Sequence, residues 1–185
     1  VLEFAENKKI PIVICTTGFS SEQIDRLYSA SKKIPVFFSG NMSLGINLLI
    51  ELSKKAASVL SDSFDIEIIE AHHNQKKDAP SGTAIKTAKM IASVKDNFES
   101  GNCEEVELIK GARGAKTESN IRVHSVRMPG FIASEEVIFG ENGQILTLRH
   151  DSMNRECYMK GVLLAIDYVF NHKEFVYGLE NILSF

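Results

Sequence analysis

Short apolar runs alternate along the chain with polar, turn-rich breaks. "IPIVIC" closes into Thr-Thr-Gly, which predicts a buried strand over residues 10–15. "SSEQIDRLYSASKK" opens on serines, carries an acid in its first turn and ends on lysines, the signals of a capped helix. "IPVFF" is a second short apolar strand, broken at Ser39-Gly40-Asn41. "LGINLLIELSKKAASVL" then repeats its apolar positions with helical spacing. Strand–helix–strand–helix is the order of a parallel α/β unit.

Beyond Leu60 the pattern changes. "FDIEIIEAHH" alternates apolar and polar residues, as a half-buried strand does. A helix is expected from near Ser81 through "SGTAIKTAKMIASV". "IRVHSVRM", "SEEVIFG" and "QILTLRH" read as three further strands, with Asn142-Gly143 as a hairpin turn between the last two. Hairpins suit a second unit of the α+β kind. "NRECYMKGVLLAIDYVF" reads as a helix, and "VYGLENILSF" as an apolar tail that has to dock.

Composition narrows the function classes. The chain has 185 residues, 44% of them hydrophobic, which is enough for a substantial core. A net charge of −3 without clustered Lys and Arg gives no footprint for nucleic acid. No apolar run reaches the length of a membrane span. Cys15, Cys103 and Cys157 form no CxxC pair, so neither a disulfide framework nor a zinc site is expected, and a reducing cytoplasm is the simplest setting.

The densest chemistry lies in "EAHHNQKKDAPSGTA", residues 70–84. Taken singly, each group has a plainer role: a His pair ends a strand, paired lysines face solvent, and Asp, Pro and Ser enter a helix. Adjacent histidines also lack the spacing that sets two metal ligands on one helical face. Together they describe a pocket with imidazoles, an ammonium and a helix N-terminus that favours an anion. Such a pocket suits a small acidic substrate that must gain a proton. Two strand-end loops, "CTTG" and "SGNMS", stand where open α/β sheets bind ligands, although small residues also serve simply to make such turns.

The segment closely resembles the signature of the dihydrodipicolinate reductase family, E-x-H-H-x-x-K-x-D-A-P-S-G-T-A, and matches each fixed position from Glu70 to Ala84. "CTTGFS" resembles the family's first nucleotide loop and "FFSGNMSLGIN" its second. The stretch from "VHSVRMPGF" to "GVLLAI" resembles its C-terminal half. Departures fall at Cys15, where the family has Gly, at Met42, where it has Phe, and at Ser134-Glu135, where it carries a His in one of the two places. The family's opening loop, G-x-x-G-x-M-G, is not in the sequence, so the resemblance implies that the first third to quarter of a typical member is missing.

The resemblance implies an α/β fold. A partial Rossmann nucleotide-binding domain would comprise residues 1–43 and 154–185. An α+β substrate and tetramerisation domain with an open mixed sheet would comprise residues 44–153. It implies NADH- or NADPH-dependent reduction of 4-hydroxy-tetrahydrodipicolinate in diaminopimelate and lysine synthesis, by a cytoplasmic homotetramer. By the same resemblance His72 and Lys76 are catalytic, and His73, Gly82 and Thr83 bind the dicarboxylate. Cys15, Thr16, Thr17, Ser39, Gly40, Asn41 and Met42 would hold the cofactor, and no metal, nucleic acid or membrane is involved. Two alternatives stand beside this reading. One is another two-domain nicotinamide oxidoreductase, against which the lack of a Glu-Lys-Pro tripeptide counts. The other is a truncated chain that binds dicarboxylates and oligomerises with little turnover.

Overall fold

The computed structural model describes residues 1–60, 62–94 and 104–184, and Cys103 lies outside them. The chain divides into two compact units, one of residues 1–47 with 155–185 and one of residues 48–154.

The first unit is a three-stranded parallel sheet in the order β1 (Ile12–Ile14), β2 (Val36–Phe38), β8 (Phe175–Tyr177). Helices α1 (Leu2–Lys8), α2 (Ser21–Ser31) and α5 (Met159–Asn171) belong to the same unit. All of β2 is buried, and its side chains alternate between two cores. Val36 and Phe38 pack with Ala5, Leu27, Ala30 and Ile34 on the α1 and α2 side. Phe37 packs with Met42, Ala165, Val169, Val176 and Leu179 on the α5 side. Covering both faces is what a parallel sheet requires. Ser20 and Gln23 start α2 with a reciprocal capping box, at 3.3 Å and 2.8 Å.

The first strand is shorter than the expected 10–15, because Pro11 has no N–H to donate and pairing begins at Ile12. The apolar tail docks as a strand: Phe175–Tyr177 runs parallel to β2, and Leu179 behind it is fully buried. The last helix begins as a 3₁₀ turn over Arg155–Tyr158 and becomes α-helical only at Met159.

The second unit carries a five-stranded mixed sheet. Its order is β4 (Ala115–Lys116), β5 (Arg122–Arg127), β3 (Asp65–His72), β6 (Ala133–Glu141), β7 (Gln144–Ser152). The central strand β3 pairs parallel with β5 and antiparallel with β6. Asn142 and Gly143 form the two-residue turn between β6 and β7, with Gly143 at φ 89°. Helix α4 (Gly82–Ala92) lies against β3 and buries Ala84, Thr87, Ala88 and Ile91. Helix α3 (Leu44–Val59) runs from the first unit into the second. The short strand β4 has no sequence signal, since two exposed residues carry no periodicity.

Gly161 of α5 sits where the helix meets the second strand-end loop. A Cβ there would lie 2.0 Å from the Met42 carbonyl oxygen and 2.9 Å from a Leu179 methyl. Gly161→Ala is therefore expected to lose about 1–3 kcal/mol of stability in urea melts, the usual cost of overpacking. Gly140→Ala, where a Cβ meets nothing within 4 Å, is the control. Equal midpoints for the two variants would show that this contact is loose.

Candidate active site

Strand β3 delivers the chemistry. Its even-numbered residues Ile66, Ile68 and Glu70 are buried, and His72 follows at the strand's end, half-buried. Glu70 has no exposed surface. A carboxylate in that position must be fully paired, and it is. One oxygen accepts from His72 Nδ1 at 2.6 Å and from Arg127 Nη1 at 2.9 Å. The other accepts from Arg127 Nη2 at 2.7 Å and from the Ser81 N–H at 3.2 Å. Burial alone would raise the Glu70 pKa. The hydrogen bonds from His72, Arg127 and Ser125 outweigh it and hold the group down at about 2.

An ionised Glu70 can only accept, so Nδ1 of His72 carries the hydrogen and Nε2 is left to give or take a proton. The same carboxylate grips the chain just before α4. Ser81 caps that helix, its hydroxyl accepting the Ala84 N–H at 3.1 Å while its own N–H goes to Glu70. Glu70 thus ties the strand-end imidazole to a helix N-terminus, where amide N–H groups and the dipole favour an anion. Gly82 opens α4, exposed, with nothing within 4 Å of where a Cβ would stand.

Between these anchors the chain turns sharply. The Lys76 N–H donates to the His73 carbonyl at 3.1 Å, and the Ala79–Pro80 peptide is cis. Arg127 Nη2 also donates to the Asp78 carbonyl at 2.8 Å, which fastens the turn to the sheet. Lys76 Nζ lies 2.8 Å from both Asp78 carboxylate oxygens, and this contact keeps Asp78 below the usual carboxylate range. His73 and Thr83 are half-buried, and Lys77 is exposed.

The first unit places its candidate residues at the C-terminal ends of β1 and β2. Cys15, Thr16 and Thr17 are exposed, and Gly40 comes so close that a Cβ on it would stand 3.2 Å from the Thr17 methyl. Ser39 and Met42 are buried. The Ser39 hydroxyl donates to the Asn41 carbonyl at 2.9 Å and accepts the Leu179 N–H at 3.2 Å, so it holds the loop in shape. The Asn41 side chain accepts the Ser43 N–H at 3.0 Å. Met42 fills the core with its side chain. These loops can meet a ligand mainly through their backbone.

A family model described as dihydrodipicolinate reductase, C-terminus, matches residues 45–183, and one described as dihydrodipicolinate reductase, N-terminus, matches residues 1–42. The chain belongs to the dihydrodipicolinate reductase family. A 4-hydroxy-tetrahydrodipicolinate reductase of Picosynechococcus sp. is 53% identical over 173 residues, which is 92% of this chain and 62% of that protein. One from Geobacillus kaustophilus is 48% identical over 174 residues, 93% of this chain and 64% of that protein. The chain therefore spans less than two thirds of the length of these relatives. A solved dipicolinate-bound dihydrodipicolinate reductase from Paenisporosarcina sp. TG-14 superposes with a TM-score of 0.82 at 44% identity, covering 98% of this chain and 68% of that one.

Within this reductase-family fold, three residues of the network escape a motif reading. Arg127 lies 57 positions from Glu70 and reaches it through the parallel register, which sets Arg127 beside His72. Glu135 and Thr87 meet under α4, their side chains hydrogen-bonded. Alternation in "SEEVIFG" does carry a signal, since it puts Glu135 on the same face as Val137 and Phe139, both buried. A charged residue at an inward position is the feature to look for.

The low pKa of Glu70 makes a pH-dependent prediction. Its folded value lies near 2 against a usual 4.5, so it contributes stability above pH 4.5 that is lost as pH falls toward 2. Glu70→Gln is expected to cost about 3–5 kcal/mol at neutral pH, because Arg127 keeps a largely buried charge without its partner. In urea melts at descending pH the gap to the parent protein should narrow through that window. A gap independent of pH would mean that Glu70 is not ionised.

Proposed function

We propose that the protein reduces 4-hydroxy-tetrahydrodipicolinate to tetrahydrodipicolinate with a nicotinamide cofactor, the 4-hydroxyl leaving as water, in the route to diaminopimelate and lysine. Family membership supports this, and the observation that carries it is the double grip of Glu70 on His72 and on the start of α4. That grip sets a proton-donating imidazole beside an anion-binding helix end, which is what reducing an anionic imine requires. Dipicolinate bound to the relative from Paenisporosarcina supports a dicarboxylate in this pocket.

His72 is the general acid and base. With Nδ1 committed to Glu70, Nε2 gives a proton to the reduced ring and recovers it from solvent. Lys76 offsets negative charge developing on the substrate, once its ammonium is shared between Asp78 and the ligand. His73 holds a substrate carboxylate, and the amides of Gly82 and Thr83 hold the other at the helix terminus.

NADH or NADPH supplies the hydride when bound. The residues present fit its nicotinamide end: small, exposed Cys15–Thr17 backbone and a close-set Gly40 leave main-chain groups within reach of a flat ring. Cys15, Thr16, Thr17, Ser39, Gly40, Asn41 and Met42 would orient it through the backbone, with Ser39 and Met42 holding the loop from within. The assembly is a homotetramer built on the sheet face away from α4, where Ile69, Val126 and Ile145 are exposed. Among the described residues no helix is long and apolar enough to cross a membrane. The setting is cytoplasmic, where free thiols such as those of Cys15 and Cys157 persist.

Steady-state kinetics test the roles. His72→Gln is expected to lower kcat by about 10²–10⁴-fold with little change in substrate affinity. Lys76→Ala should also lower kcat, whereas Lys77→Ala, at an exposed position, should not. Near-normal turnover in His72→Gln would remove the imidazole from the reaction. Equal losses from the two lysines would mean diffuse charge rather than a placed group.

Binding is tested separately with pyridine-2,6-dicarboxylate in a calorimeter. Gly82 has open space around it, so Gly82→Val is tolerated by the fold and obstructs only the ligand's approach. A loss of about tenfold or more in affinity is expected, given that one charge-assisted hydrogen bond is worth roughly 1.5–3 kcal/mol. Unchanged affinity would place the carboxylate elsewhere.

A further inference from the structure

A second carboxyl group lies beside the first. Glu135 of β6 is the cross-strand partner of Glu70, so both side chains stand on the face under α4. Glu135 is 3% exposed and Glu70 is 0% exposed. Two ionised carboxylates side by side in that setting would repel strongly.

Hydrogen-bond accounting offers a way out of the conflict. The Thr87 hydroxyl lies 3.0 Å from the Thr83 carbonyl and within hydrogen-bond distance of Glu135 Oε1. A hydroxyl has one hydrogen, and a carbonyl oxygen only accepts. If Thr87 donates along its helix to Thr83, the hydrogen on its Glu135 side must come from Glu135.

The surrounding charges favour the same state. On β3 the neighbour is the Glu70 carboxylate, already matched by Arg127 of β5, with His72 one step further along the strand. On β7 the cross-strand neighbour is His150, which burial holds below its usual pKa and so toward its neutral form. On α4 the facing group is Thr87, while Lys86 is half-buried and Lys89 exposed. Burial first, and the Glu70 charge after it, push the Glu135 pKa up to about 7, although the Thr87 contact acts the other way.

We propose that Glu135 is a positioning residue for His72: its carboxyl stays protonated through the acid range to neutrality, donates to Thr87, and forms an uncharged wall behind Glu70. Glu70 is then the sole negative charge on Nδ1–H of His72. When Glu135 loses its proton, a second negative charge appears in the same buried row and favours the imidazolium form of His72. The functional meaning rests on the reading of His72 as the reactive imidazole, but the protonation state and its effect on His72 do not.

The test uses NMR rather than turnover. Carboxyl ¹³C shifts should show Glu135 titrating above about pH 6, more than a unit beyond an ordinary glutamate. The ¹⁵N shifts of His72 should bend at the same pH. Glu135→Gln, which keeps a neutral group of the same shape, should retain the Nδ1–H signature of His72 and lose that bend. Melting should agree: a carboxyl with a raised folded pKa loses stability as pH rises from about 4.5 to about 7, so the variant's relative Tm should climb across that window.

A Glu135 signal titrating near about pH 4 would overturn the proposal. So would a His72 signature that Glu135→Gln disrupts, or a bend that survives it. Should the NMR results hold while His72→Gln retains full turnover, the catalytic reading of His72 fails and the coupling of Glu135 to His72 stands.

Discussion

A carboxylate with no exposed surface cannot be left alone, and the second unit is built around satisfying one. Glu70 takes hydrogen bonds from His72, from both terminal nitrogens of Arg127 and from the Ser81 amide. These partners come from the end of its own strand, from the parallel neighbour β5 and from the start of α4. Removing water from such a charge costs several kcal/mol, and that cost makes the arrangement exact: any register slip or helix displacement would leave it unpaired. A one-residue slip of β3 would turn Glu70 to the opposite face and carry His72 away with it.

That constraint explains how a flexible-looking loop becomes a defined site. Residues 74–79 are mostly polar and exposed. They are pinned at one end by His72, at the other by the Ser81 cap, and in the middle by Arg127 on the Asp78 carbonyl. Lys76 is drawn back onto Asp78 within this frame. Its ammonium is thus tethered to the Asp78 carboxylate within the turn.

Legibility in the sequence followed the range of the interaction. Elements with strong periodicity were readable: "FDIEIIEAHH" shows its alternation openly, and Ser20 and Ser81 announce the helices they cap. The α/β class and the likeness of residues 70–84 to a reductase signature were readable for the same local reason. Strand β8 was not, because three residues whose partner is β2, far upstream, leave only an apolar tail in the sequence. Arg127 and Glu135 were missed as members of the site for a related reason. Each is near Glu70 only through strand register, which no short motif encodes.

The two units also use their strand ends differently. In the first, Ser39 and Met42 turn inward and spend their side chains on the loop and the core, which leaves backbone to face outward. In the second, the side chains themselves are displayed and the backbone is consumed in holding them. A loop that turns its backbone outward is indifferent to modest side-chain change, and Cys15 stands exposed in such a loop. A ligand gripped by imidazole and ammonium depends on every partner behind them. The second unit should therefore tolerate little change at the positions behind these side chains, Arg127 foremost. Arg127 pairs the Glu70 carboxylate that holds Nδ1–H of His72, so its loss would change the charge that the ring faces.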